Sequence, residues 1–154
     1  MAQGFRAILG SLCLFAGLLS ASADRTRAED GPIPLGLVKQ ALNATSGNWV
    51  AFRNYNGRQW VYLTQVLTWK CGLKEVRYAI NSSALTERWP LPACNPQNPY
   101  ALDPEADHIY TYFAPGSVSF VSVQIVFADG TETDIMTYVP CDVPGDQTCA
   151  ALVQ

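Results

Sequence analysis

Two dipeptides constrain this chain more than any other feature. Asn56-Gly57 and Asp129-Gly130 each stand between runs in which apolar and polar residues alternate. The central positions of a tight hairpin turn need positive φ, which Asn, Asp and Gly tolerate best, so each dipeptide predicts a β-hairpin. Around the first, Phe52 is expected to face Val61 and Val50 to face Leu63. Around the second, strands over 118–127 and 131–139 set Val123 against Met136 and Val121 against Tyr138.

A third hairpin is expected between them. A strand over 60–70 would turn at Cys71-Gly72-Leu73-Lys74 and bring Trp69 opposite Val76, Leu67 opposite Tyr78 and Lys70 opposite Glu75. Apolar residues then meet apolar ones and a cation meets an anion. Residues 109–113 supply a further strand before Pro115-Gly116. One short helix precedes them, with Leu35, Leu37, Val38, Ala41 and Leu42 at helical spacing and Pro34 in a first-turn position. The expected fold is mainly β: five or six antiparallel strands in up-and-down order. The helix covers the apolar face in a small α+β form, or the sheet folds over as a sandwich or barrel.

The N-terminus reads as an export signal. Arg6 precedes the apolar run 7–19, and Ala21-Ser22-Ala23 offers small residues for a signal peptidase. The run is too short to span a bilayer comfortably, and no later stretch is long and apolar enough to do so. Cys13 is a poor lipidation site, because bulky Leu12 precedes it. Residues 1–23 are therefore expected to be removed, 24–34 to form a polar lead-in, and 35–154 to form one domain in the periplasm or outside the cell. Four cysteines remain, and an oxidising compartment favours two disulfides over zinc thiolates, whose C-x2-C spacing is absent. The local closures are Cys71–Cys94 and Cys141–Cys149.

Composition then excludes several functions. The formal charge is −3, against a phosphate-gripping protein, and a single His cannot build a multi-His metal centre. That total hides an asymmetry. Residues 24–88 hold nine Lys or Arg and five Asp or Glu, a net of +4; residues 89–154 hold eight acids and no base, a net of −8. Acids gathered on one face would attract a basic partner, whereas an intertwined sheet would place the halves side by side and blur the contrast.

Between the hairpins, residues 88–108 contain five prolines between positions 90 and 104, so neither a helix nor a central strand can persist there. A stiff loop of this length, pinned by Cys94, offers a preformed surface. Its candidate binding residues are Trp89, Leu91, Tyr100, Asp103, Glu105, Asp107 and His108, with Trp89 expected as an exposed anchor. Asp103, Glu105 and Asp107 alternate as calcium ligands can, but the Gly and distal Glu of the calcium-loop pattern are missing, and a solvated acidic turn is the simpler reading. No catalytic residue, metal set or cofactor is assigned. His108 has no nucleophile motif beside it, and no glycine-rich phosphate loop occurs.

The aromatics crowd the first two hairpins. Their phase puts Leu63, Leu67 and Trp69 inward and leaves Trp60 and Tyr62 on the opposite face, an apolar patch if uncovered. Asn43-Ala-Thr45 and Asn81-Ser-Ser83 match the glycosylation acceptor pattern. Together these features describe an exported, non-enzymatic binding module that engages a protein through its acidic half and Pro-rich loop, with inhibition of a basic hydrolase one form this could take. The alternatives are a cell-envelope stability factor without a discrete site, and a small hydrolase or metal-assisted enzyme using residues 103–108.

Overall fold

The computed structural model describes residues 31–141 and 147–153. The expected signal over 1–23, residues 24–30 of the lead-in, and Asp142 and Asp146 lie outside them. The chain forms helix α1 (Leu35–Ala44), strands β1 (Ala51–Tyr55) and β2 (Arg58–Tyr62), a single helical turn α2 (Thr64–Leu67), and strands β3 (Leu73–Ile80), β4 (Glu87–Trp89), β5 (Tyr110–Phe113), β6 (Val121–Phe127), β7 (Met136–Val139) and β8 (Ala151–Leu152). All pairings are antiparallel. They make a three-stranded sheet ordered β1-β2-β5 and a five-stranded sheet ordered β4-β3-β6-β7-β8.

The outer hairpins have the expected register. Phe52 pairs with Val61 across a turn whose Asn56 and Gly57 take φ of 50° and 68°. Val121 pairs with Tyr138 and Val123 with Met136. Nearer its turn the second hairpin departs from expectation: the strand begins at Met136 rather than Thr131, Val126 bridges Glu132, one residue off that register, and only Gly130 of the Asp-Gly pair takes positive φ, at 82°. Both cysteine pairs are disulfide-bonded as expected, Cys71–Cys94 with Cα atoms 4.8 Å apart and Cys141–Cys149 with Cα atoms 5.7 Å apart.

The middle hairpin is different, and the reason is visible in the spacing. Strand β2 stops at Tyr62, and the chain then coils through α2 and a 3-10 turn over Lys70–Gly72. Leu63, Val66, Leu67 and Lys70 are all buried, at intervals of three and four that suit a helix. A strand would have carried Gln65 inward instead. Lys70 therefore never meets Glu75, and Val76 faces Trp89 and Ile125 rather than Trp69. Tyr78 faces Glu87 and Val123 rather than Leu67. Gly72 is not a left-handed turn glycine. A Cβ there would lie 2.6 Å from Cγ2 of Val38, so its missing side chain lets the chain pass close to α1.

Strand order departs from up-and-down for the same reason. With 64–72 coiled away, β2 takes β5 as its second neighbour and β3 takes β6. The two strands beyond the expected five or six are the short β4 and β8. One cluster of buried residues joins α1 (Val38, Leu42), the small sheet (Phe52, Val61) and the large sheet (Val76, Val123, Ile125, Tyr138). Between the sheets, buried Gln59 donates Nε2 to the carbonyl of Val118 at 2.9 Å and accepts from its N–H at 2.8 Å. Only one face of the small sheet is used by this core.

Candidate functional site: an aromatic sheet face

Alternation in β1, β2 and β5 decides what lies on the other face. Phe52, Gln59 and Val61 point into the core, so Arg53, Tyr55, Arg58, Trp60 and Tyr62 point away from it. Register places Tyr112 beside Trp60 and Tyr110 beside Tyr62. The four rings form a connected cluster: Trp60 lies 5.0 Å from Tyr110, 5.2 Å from Tyr112 and 6.4 Å from Tyr62, and Tyr62 lies 5.6 Å from Tyr110, between centroids. Trp60 donates Nε1 to the carbonyl of Tyr55 at 3.0 Å, which fixes the indole. The Arg58 guanidinium sits 4.0 Å from the centre of the Tyr112 ring, and that of Arg53 sits 4.4 Å from the Tyr55 ring.

This face is open. Tyr55 and Tyr112 are each 49% exposed and Tyr110 is 37% exposed. Shallow grooves border it. One of about 280 Å³ is lined by Tyr55, Asn56, Arg58 and Pro115 at the hairpin tip. Another, of about 220 Å³, is lined by Tyr78, Trp89, Pro90, His108, Tyr110 and Thr111 at the start of β5. A larger groove, about 490 Å³, lies elsewhere, between α1 and the β6–β7 connection. Of its three charged residues, Lys39, Glu132 and Asp134, Lys39 is paired with Asp129 and Glu132 with Arg77, at 2.6 and 2.9 Å. It is the poorer candidate for recognition.

The residues singled out in the Pro-rich loop take other roles. Trp89 is not an exposed anchor: it is 4% exposed, stacks edge-on with Tyr78 at 5.1 Å and donates Nε1 to the His108 carbonyl at 2.8 Å. As the last residue of β4, opposite Val76, it points into the core. Leu91 packs half-buried against that core. Tyr100 is exposed and meets Trp69 edge-on at 5.4 Å. Asp103 accepts from the N–H of Glu105 at 2.9 Å, and Asp107 accepts from the N–H of Asp103 at 2.7 Å. These carboxylates shape their own turn. Exposed His108 follows with a φ of 46° and leads into β5. Among the described residues no group of three or more His, Cys, Asp or Glu is placed to hold a metal ion.

Two ion pairs join the basic half of the chain to the acidic half, Lys39 with Asp129 and Arg77 with Glu132. Glu75 is shared by Arg77 and Arg88, and the Arg77 hydrogen bond, followed by the charge of Arg88, holds its carboxyl below the usual range. Asn81 is also engaged, donating to the Ser117 carbonyl and accepting from the N–H of Ser119, both at 2.7 Å. Two of the face's rings, Trp60 and Tyr62, were legible from strand phase. Tyr110 and Tyr112 were not, although Tyr-Thr-Tyr-Phe alternates as β5 requires.

Among the described residues no helix is long and apolar enough to cross a membrane. The chain matches no protein-family model, no curated protein and no solved structure.

Proposed function

We propose that this protein is an exported, non-enzymatic binding module that takes a protein partner on the aromatic face of its small sheet, with the Pro-rich loop at the rim. Export rests on the apolar N-terminal run and on the two disulfides. The observation that carries the binding assignment is the connected cluster of Trp60, Tyr62, Tyr110 and Tyr112, with Tyr110 and Tyr112 exposed, on the sheet face turned away from the core. Trp, Tyr and Arg dominate binding hot spots because they present large, stiff surfaces with a polar tip at little entropic cost. Arg58 on the Tyr112 ring adds the cation such patches commonly hold.

The acidic loop residues Asp103 and Glu105 precede β5 in the chain and supply a polar rim. Catalysis finds less support, since the groove beside His108 is lined by aromatic residues, Pro90 and Thr111, without a carboxylate.

The test is affinity capture from an envelope or secreted extract, using the native protein, Trp60→Ala/Tyr112→Ala and Asp103→Asn/Glu105→Gln. Loss of the captured protein with the aromatic variant, at roughly 30-fold weaker affinity or more, is the expected result. Capture that survives the aromatic variant would sink the assignment of this face.

A further inference from the structure

The small sheet has two edges, and they are treated differently. On β1, both backbone groups of Phe52 are taken up by Cys149, with N–H to carbonyl distances of 3.0 and 2.8 Å. On β5 the hydrogen-bond phase follows from the bond of the Leu63 N–H to the Ile109 carbonyl at 3.1 Å. In an antiparallel ladder alternate residues turn their backbone groups to the partner strand. Ile109, Thr111 and Phe113 therefore face β2, and the N–H and C=O groups of Tyr110 and Tyr112 face outward. Those four groups have no partner among the described residues.

An open edge is usually guarded by charge, proline or a bulge. The outer strand β4 of the large sheet carries Glu87 and Arg88. Strand β5 reads Tyr-Thr-Tyr-Phe, with neither charge nor proline.

We propose that β5 is a self-association edge that pairs antiparallel with β5 of a second copy of this chain, giving a continuous six-stranded sheet. The sequence is self-complementary in one register. Tyr110 lies opposite Tyr112 of the second copy and the converse, so all eight outward backbone groups are satisfied, while Thr111 meets Thr111 on the two-fold axis as a close non-hydrogen-bonded pair.

Two further features fit this register. Phe113 of the second copy comes opposite Ile109, at the groove lined by Trp89, Pro90 and Thr111. Arg58 stands opposite Ala114 by extension of the β2–β5 register, and Ala114 lies opposite His108 of the second copy. The acidic 103–107 turn, which immediately precedes His108, then lies at the same end of the paired sheet as Arg58 of the other copy, twice, a charge complementarity that favours a second copy over an unrelated strand. The paired sheets also join their Trp60, Tyr62, Tyr110 and Tyr112 clusters into one longer platform.

The experiment uses the chain from residue 24 onward. Sedimentation equilibrium over about a hundredfold concentration range should show a monomer–dimer equilibrium. The Tyr110 and Tyr112 amides should exchange with solvent about tenfold more slowly at the concentrated end. Thr111→Lys and Thr111→Glu, each placing like charges on the two-fold axis, should weaken self-association by about tenfold or more, and an equimolar mixture of the two should restore it. A native chain that stays monomeric, with Tyr110 and Tyr112 amides exchanging equally at all concentrations, overturns the proposal. A dimer indifferent to both Thr111 variants but lost in Trp60→Ala overturns it as well, by assigning the contact to the aromatic face.

Discussion

The Lys70 ammonium, on a side chain only 4% exposed, donates to the backbone carbonyl of Ala101 at 2.5 Å and to that of Pro99 at 3.2 Å. A buried cation thus organises the Pro-rich loop from below. Residues 90–109 belong to no helix or strand, so carbonyls that their own turns leave unpaired and that turn inward need other donors. Lys70 reaches them because α2 and the following 3-10 turn carry it inward, whereas a strand running through position 70 would have pointed it at Glu75.

Replacing Lys70 by Met keeps the stem and removes the donors. Lys70→Met should cost about 2–3 kcal/mol, since hydrogen bonds to a charged group are lost and two inner carbonyls are stranded. Urea unfolding measures the loss, and limited proteolysis should show faster cleavage within 90–109. Native-like resistance in the variant would show that the loop is ordered without Lys70.

The Cys71–Cys94 bridge restrains the same segment across a sequence separation of 23. Cys71→Ser/Cys94→Ser should lower stability by about 2–4 kcal/mol, mainly through the freer unfolded chain. The double variant should unfold at lower urea under oxidising conditions, while under reducing conditions the two proteins should converge.

Gln59 ties the small sheet to the chain entering β6, through the N–H and the carbonyl of Val118 at 2.8 and 2.9 Å. Gln59→Leu should destabilise by about 2–4 kcal/mol, because a side chain of similar size leaves two buried backbone groups unpaired. Thermal unfolding checks this, and Gln59→Glu should also destabilise, because it cannot donate to the Val118 carbonyl once ionised.

The Asp129 carboxyl is held down to about 2, first by the hydrogen bond from Lys39 and then by Thr131. A depressed folded-state value stabilises the protein above the unfolded value near 3.8 and loses that contribution as pH falls toward 2. Both partners are partly exposed, so the contribution is under about 1 kcal/mol. Urea midpoints of the native protein and Asp129→Asn should therefore differ near neutrality and converge between pH 4 and pH 2.

The aromatic face shows where reading strands one by one stops. The phase of β2, set by Asn56-Gly57, already turned Trp60 and Tyr62 away from Val61. It carried no information on Tyr110 and Tyr112, which are about 50 residues away in the chain and join the face only through the β2–β5 pairing. Trp89 failed for the opposite reason. Loop prolines on its C-terminal side suggested exposure, yet Val76 across the β3–β4 ladder draws its ring into the core. The 64–72 segment fits two patterns, because Leu63, Leu67 and Trp69 satisfy a period of two while Leu63, Val66, Leu67 and Lys70 satisfy a helical one. Local pattern cannot choose between them, and burial did.

By itself, the sequence determined whatever depends on a few adjacent residues. This covers the Asn56-Gly57 hairpin with its register, the pairing of Val121 and Val123 in the second hairpin, helix α1, and the two disulfides between near neighbours in the chain. Turn dihedrals, side-chain alternation and short loop closure encode these directly. The tertiary structure alone decided which strands became neighbours, that acids and bases of opposite halves would pair, and that four rings would meet on one open face beside an unguarded edge. Those outcomes depend on which distant apolar surfaces exclude water together, and no short stretch of sequence carries that choice.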